Sequence, residues 1–478
     1  MIFNQPKGLF LLFFTELWER FGYYSLQTIF ILYISHALHF SDDKAYLLLG
    51  AFSGIQFVSP VIGGYLADRY LGFQRAILIG GSLLALGYFL LVLPHLNIFL
   101  IGLGLLILGN GFFKPNVSSI VGTLYEKNDP RRDSGFTLFY MGINVGSLLP
   151  PLFLGALVHS FGWNAAFLLA TLGMLISIVL FLLGRHRLRG RGGIPAHSIL
   201  NHKDQRKRFN LLLLIGAVLA VVFCYGFLHM TKQSNVLLIV ASALIVLWIL
   251  KIIIKLEWAE RRKMLVALIL IVISIGFWAI YIQCFSSLLL FADRNMSPHF
   301  LGLTINAEFT QSFNPFFIIV LSPFLSFFWP KLDQKGLNPS YPMKFALATL
   351  FMGSGLFVLA LSIKWFSHNG LTSPWWLVFS YFLQTAGELI ISPIGLAMIT
   401  ALVPERYMGM MMGVWFLALA AAFSIGGELA RLADVPRHAS ILLSQHIYMK
   451  AFFDFAFLGF ALGIVALLVT PKLKKMLA

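Results

Sequence analysis

Charge is what this sequence lacks most. Only 11% of its 478 residues are Asp, Glu, Lys or Arg, less than half of the roughly 25% a soluble domain carries. With 59% hydrophobic residues and a mean hydropathy of +0.85, that deficit excludes a water-soluble globule and a disordered chain. Cysteine is nearly absent. Cys224 and Cys284 both lie inside apolar runs and form no C-x-x-C, which excludes a disulfide framework and a zinc module and leaves two small buried hydrophobes. Long polar stretches are missing as well. The longest, Arg185–Arg208, has 24 residues, too few for a soluble catalytic or binding domain. P-loop, H-E-x-x-H, G-x-S-x-G, haem-ligand and metal-ligand spacings are all lacking. The twelve histidines (36, 39, 95, 159, 186, 197, 202, 229, 299, 368, 438 and 446) stand in loops or near the ends of apolar runs. We therefore expect no cofactor, no metal and no enzymatic activity. Energy for any transport would come from an ion gradient.

What is present is apolar sequence in runs of membrane length, about 20 residues each. Fourteen runs qualify: 9–38, 45–68, 75–94, 98–123, 135–159, 163–184, 209–230, 235–256, 264–291, 300–329, 343–363, 375–403, 407–431 and 446–470. The first is too long for the core of a cleavable signal peptide. The fold class is an all-α polytopic membrane protein. A net charge of +16 would point to nucleic acid in a soluble chain; here the basic residues sit in short loops, the positive-inside pattern instead. With the amino terminus inside, 26 Lys and Arg fall on inner segments and seven on outer ones, while Arg20 and Lys114 lie within runs. Both termini are therefore expected on the cytoplasmic side. Runs 1–6 and 9–14 make two six-helix bundles, residues 1–184 and 261–478. Between them lie a basic linker, 185–208, and an inserted two-helix hairpin, 209–260. The loop GGYLADRYLGFQR after the second run has a weak counterpart, WPKLDQKG, in the second half.

The informative residues are charges inside the runs. Each costs about 2.5–3.5 kcal/mol on insertion scales, so it marks function by default. The first run holds Glu16, Glu19 and Arg20 in FFTELWERFGYYSLQ. At about 100° per residue these share one stripe with Tyr23 and Gln27, and the rest of the helix is apolar. Such a stripe faces a water-filled path or polar partners. An i,i+4 pair of Glu16 with Arg20 accounts for two charges. It leaves Glu19 over: two carboxylates around one guanidinium keep a negative charge in excess, which is what a proton carrier requires. Lys114, in GNGFFKPNVSSI, lies about 13 Å from the inner end of its run, and Pro115 after it favours a local bend. Glu388, in YFLQTAGELIISPIGLAM, lies near the middle of its run, and the two form a natural pair across a central cavity. Asn144 and Asn314 stand beside glycine or proline, where opened helices line transporter sites; bonding to a neighbouring helix is the other reading. Trp415, well inside its run, either shapes a pocket or packs.

These segments together resemble the proton-dependent oligopeptide transporters of the major facilitator superfamily. ELWERFGYY is similar to that family's E-x-x-E-R-F-x-Y-Y-G signature, with Ser25 where glycine is usual. FFKPNVSS, FYMGINVGS, SFNP, GELIISPIG and MMMGVWF follow in the family's order. The resemblance implies proton-coupled symport of di- and tripeptides by alternating access, in a bacterial inner membrane, by a monomer. It implies that Arg20, Tyr23, Tyr24 and Lys114 hold the peptide carboxylate end and that Asn144 and Asn314 bond the peptide unit. Glu388 would take the amino terminus, with Ser392 and Trp415 lining the same pocket. Proton coupling would rest on Glu16, Glu19, Arg20, Lys114 and Glu388. Two positions depart from the pattern. Ile282 stands where an acid usually precedes the Gln of the ninth run, and Phe57 where a pocket tyrosine is usual. Glu308, Glu428 and Asp454 are candidate compensating acids. The departures leave open a carrier of another small solute, such as an amino acid, nucleoside or drug.

Overall fold

The computed structural model describes residues 5–126, 129, 131–195, 198–201 and 203–477. His197 and His202, noted above, lie outside these. In chain order the first helices are α1 (Lys7–Leu32), α2 (Asp42–Ile55), α3 (Ser59–Leu66), α4 (Phe73–Leu91), α5 (Leu96–Thr123) and α6 (Arg132–Phe161). There follow α7 (Trp163–Gly184), α8 (Lys203–His229), α9 (Thr231–Ile254), α10 (Trp258–Tyr281) and α11 (Ser287–Asn295). The last are α12 (Phe313–Gln334), α13 (Tyr341–Phe366), α14 (Pro374–Leu402), α15 (Glu405–Ala430) and α16 (Ile441–Leu477). Among the described residues thirteen helical segments are long and apolar enough to cross a membrane. The second of these, Asp42–Leu71, joins α2 and α3 to a π-helical turn, Ala67–Leu71. Helix α1 has the length too, 26 residues, but carries the three mid-helix charges.

Three local features differ from the plain reading of the runs. The run 264–291 is broken by a 3₁₀ turn, Ile282–Phe285, between α10 and α11. The run 300–329 opens as a small hairpin, His299–Phe300 paired with Leu303–Thr304. Leu301 and Gly302 form its two-residue turn with positive φ of 52° and 78°, a geometry glycine permits at the second position. Pro115 does not interrupt α5. Asn116, Ser118 and Ser119 donate side-chain hydrogen bonds to the carbonyls of Phe112, Lys114 and Pro115, adding bonds within the turns beside the proline.

The chain divides into two compact units, residues 1–33 with 55–231, and residues 34–54 with 232–478. In the first, α1 packs on α6 and α7, α4 on α5 and α7, and both α3 and α8 on α5. Gly146 of α6 makes one approach possible: a Cβ there would lie 2.4 Å from the Leu17 carbonyl oxygen, so only glycine lets α6 reach the α1 backbone beside Arg20. The segment after α7 is tied to the same unit. Ser198 donates to the Tyr70 carbonyl at 2.6 Å and the Gln74 amide to the Arg191 carbonyl at 2.7 Å. In the second unit α13 packs on α14 and α16, α10 on α15 and α16, and α12 on α14. Helix α9 joins it through Asn235, which donates to the Leu47 carbonyl at 3.0 Å. Cys224 and Cys284 are free and buried.

Candidate functional site

The first unit gathers its charges on α1. Arg20 is 4% exposed, and its guanidinium donates twice to Glu19, Nε to Oε2 and Nη2 to Oε1, both at 2.5 Å. This planar fork on a carboxylate is the strong form of the ion pair. Contrary to the i,i+4 pairing read from the sequence, Glu16 and not Glu19 is the acid held less closely. Its Oε1 lies 3.5 Å from the Arg20 Nε, and its Oε2 is buried with no hydrogen-bond partner among the described residues. The guanidinium also stands over the Tyr23 ring, 4.7 Å from its centroid, and Tyr24 meets Tyr23 edge to face at 5.2 Å. Gln27 completes the buried stripe.

Lys114 of α5 joins this cluster. It is exposed although it lies within a spanning helix. Its charge interacts with Arg20, Glu19 and Glu16, and its Nζ lies 6.0 Å from the Phe57 ring centroid, a cation over an aromatic face. Two acids and two bases are thus assembled in one unit. Asn144 of α6 is buried and donates to the Tyr140 carbonyl at 2.9 Å.

The second unit is built differently. Glu388 of α14 is half-buried, and Asn314 of α12 donates to it at 2.6 Å. The same amide donates to the Thr385 hydroxyl at 3.1 Å, and the Tyr281 hydroxyl also hydrogen-bonds the carboxylate. All of these donors are neutral. Ser392, one turn beyond Glu388, is half-buried. Trp415 of α15 is buried, its ring seated on α14 where a Cβ at Gly395 would lie 2.1 Å from it. Ile282 is fully buried, and a Cβ at Gly426 of α15 would lie 2.2 Å from its Cγ2. Beside it Gln283 donates to the Gly426 carbonyl at 3.0 Å.

Sequence reasoning missed Tyr281 and Thr385. A usable signal existed for Thr385, three residues before Glu388 on one helical face; Tyr281 carries none, since tyrosine is ordinary in a span. It also missed most of a second polar group in the second unit, of which it had named only Glu308 and Glu428 as candidates. There Asp42 pairs with Arg294 at 2.5 Å, His36 with Asp293 at 2.9 Å, and Arg431 with both Asp43 and, at 2.8 Å, Glu428. Glu308 interacts electrostatically with Asp293 and His36 and so belongs to that group. Asp454 is exposed on α16.

Comparison with known proteins follows the same lines. A family model described as the POT family matches residues 74–447. Dipeptide and tripeptide permease B of Salmonella typhimurium is 37% identical over 480 residues, covering 100% of this chain and 97% of that protein. Dipeptide and tripeptide permease A of Erwinia pyrifoliae is 38% identical, covering 99% and 95%. Among solved structures, a variant of a peptide transporter POT in complex with alafosfalin matches with a TM-score of 0.86 at 33% identity, covering 100% of this chain and 96% of that one. A POT family transporter in complex with 5-aminolevulinic acid gives 0.85 at 28%, covering 99% and 98%. Tetrameric PepTSo2 gives 0.86 at 30%, covering 98% and 99%. The helices have the major facilitator fold, and the chain belongs to the proton-dependent oligopeptide transporter (POT) family.

Proposed function

We propose that this protein is a proton-coupled symporter of di- and tripeptides that works by alternating access. The observation that carries the reading is the contrast between the two polar sets. A zwitterionic peptide needs cations at one end and an anion at the other, since a charge brought out of water must be paired. Arg20 and Lys114, flanked by Tyr23 and Tyr24, suit the carboxylate. Glu388, which has neutral donors only, suits the ammonium group. Asn144 and Asn314 are read as partners of the peptide unit, with Ser392 and Trp415 beside them. Coupling follows from charge balance. Glu16, Glu19, Arg20 and Lys114 are balanced among themselves; a substrate carboxylate drawing on the cations leaves one acid without a counter-charge, and a proton replaces it. Glu16 is the acid with the looser hold on Arg20, so we assign the proton to Glu16, with Glu19 fixing the guanidinium.

The transporting body is read as bundles 1–184 and 261–478, with 185–208 as a basic linker and 209–260 as an inserted hairpin. We place the chain in the inner membrane of a bacterium with both termini cytoplasmic, on the 26-to-seven distribution of basic residues. The monomer is taken as the working unit, because each chain carries both polar sets. The relatives' names, dipeptide and tripeptide permease, support the peptide. A second reading keeps the same charges but another small zwitterion, favoured by Ile282, Phe57 and the relative in complex with 5-aminolevulinic acid. Uptake of a labelled dipeptide into proteoliposomes, with and without an imposed proton gradient, tests both. Accumulation above equilibrium only with the gradient is the expected result. Accumulation of 5-aminolevulinic acid and not of dipeptide would select the second reading.

A further inference from the structure

An apolar groove of the first unit belongs to neither polar set. It runs between α3, α5 and α8, has a volume of about 430 Å³, and is lined by Ile62, Leu66, Phe112, Phe209, Gly216 and Phe223, among others. The stretch of α8 that lines it, from Phe209 to Cys224, is about 22 Å long at 1.5 Å per residue. It stays open at its centre, where a Cβ on Gly216 would meet nothing within 4 Å. Ile62 and Phe223 are 60% and 59% exposed, so the groove opens sideways, toward what surrounds a spanning helix.

One end of this groove is basic. Leu66, Phe209 and Leu213 pack there with Leu71 and Leu200, and the Tyr70 and Phe209 rings lie 5.2 Å apart. Arg69 stands over the Tyr70 ring at 5.8 Å. Arg75 stands two residues after Phe73 and Arg206 one turn before Phe209, and both of those rings belong to the same cluster. Among the described residues none of these three arginines makes an ion pair. An excess of positive charge, with Asp68 and Asp204 the acids beside it in sequence, at the mouth of a long apolar channel in a membrane protein, matches one chemistry: a phosphate with a fatty chain attached.

We infer that this groove seats an acyl chain of an anionic phospholipid whose phosphate lies on Arg75 and Arg206. The inference uses neither Arg20, Lys114 nor Glu388, and stands or falls apart from the transported substrate. Native mass spectrometry of the full-length protein in detergent, titrated with phosphatidylglycerol or with phosphatidylcholine of the same chains, reads the site directly. The wild type should retain one phosphatidylglycerol at concentrations where phosphatidylcholine has been lost. Arg75→Gln with Arg206→Gln should weaken that retention about 30-fold, on the worth of two surface-proximal charges. Gly216→Phe, whose Cβ enters open space, puts a ring into the groove and should abolish it. Arg206→Gln alone, at an exposed side chain, should weaken retention about fivefold in a chain whose melting temperature is unchanged. Equal retention of the two lipids would overturn the inference, as would wild-type retention in Gly216→Phe or in Arg206→Gln. Glycerol phosphate competing as well as the intact lipid would show that no chain is seated. Dimers in the wild type that Gly216→Phe dissolves would make the groove an interface between copies instead.

Discussion

The two units solve the problem of a buried carboxylate in opposite ways. On α1, Glu19 is clasped by a guanidinium at two points and Glu16 shares what is left of it, with Lys114 adding a second positive charge nearby. On α14, Glu388 is held by an amide and a phenol, with no cation among its bonded partners. A charge pair in a low-dielectric interior is costly to break from either side. A carboxylate satisfied by neutral donors is solvated but not neutralised, and an arriving cation gains the full attraction. The first arrangement responds to an anion by redistributing charge. The second waits for a cation. That difference is why we give the substrate's two ends to different units and the proton to the first.

The sharpest way to break the comparison is to fix the proton in place. Glu16→Gln mimics a permanently protonated acid while leaving the Glu19–Arg20 fork intact. Gradient-driven accumulation of dipeptide should vanish, whereas exchange of labelled for unlabelled peptide persists. Pyranine-reported proton flux, read beside tracer uptake, checks both at once; concentrative uptake at the wild-type level would remove Glu16 from coupling.

A second test asks whether the second unit is short of an acid by design of its packing. Ile282→Glu puts a carboxylate where a Cβ at Gly426 already has no room. We expect a loss of about 3–5 kcal/mol, the range for an uncompensated buried charge, seen as a much lower melting temperature in detergent. A stable protein with a shifted pH profile of uptake would show that position 282 opens onto the transport path.

A smaller effect is expected from Asn314→Ala, which removes one neutral donor from Glu388 and leaves the charge. The amide is also the one read as a partner of the peptide unit, and a neutral hydrogen bond is worth about 0.5–1.5 kcal/mol, so dipeptide affinity should fall about two- to tenfold, read by competition. An unchanged affinity would detach Asn314 from the role we give it.

How much of this was legible beforehand depended on contrast. The fourteen runs and the α1 stripe stood out because charge is so scarce that helical periodicity marks it against an apolar background. Glu388 stood out for the same reason. The membership of Lys114 in the α1 cluster came from the family resemblance alone, because composition and periodicity do not show how closely α5 comes to α1 in space. The neutral shell of Glu388 was not legible: Tyr281 and Thr385 are residue types that spans use freely. The sequence flagged Ile282 as a missing acid, yet its contact with Gly426 is set by the approach of α10 to α15. The hairpin at Leu301–Gly302 was hidden by its apolar composition, which reads as span until the turn geometry is known.

The central claim is the division of the substrate's two ends, and competition against labelled dipeptide tests it most directly. The competitors are the free dipeptide, its carboxy-terminal amide and its amino-terminal acetyl derivative. They are compared in the wild type, Lys114→Ala and Glu388→Gln. The account predicts that Lys114→Ala weakens binding of the free peptide and the acetylated one about tenfold or more while sparing the amide. It predicts that Glu388→Gln weakens the free peptide and the amide while sparing the acetylated one. If each variant lowers all three affinities by the same factor, Lys114 and Glu388 do not read the ends of the substrate, and the contrast between the two units has another purpose.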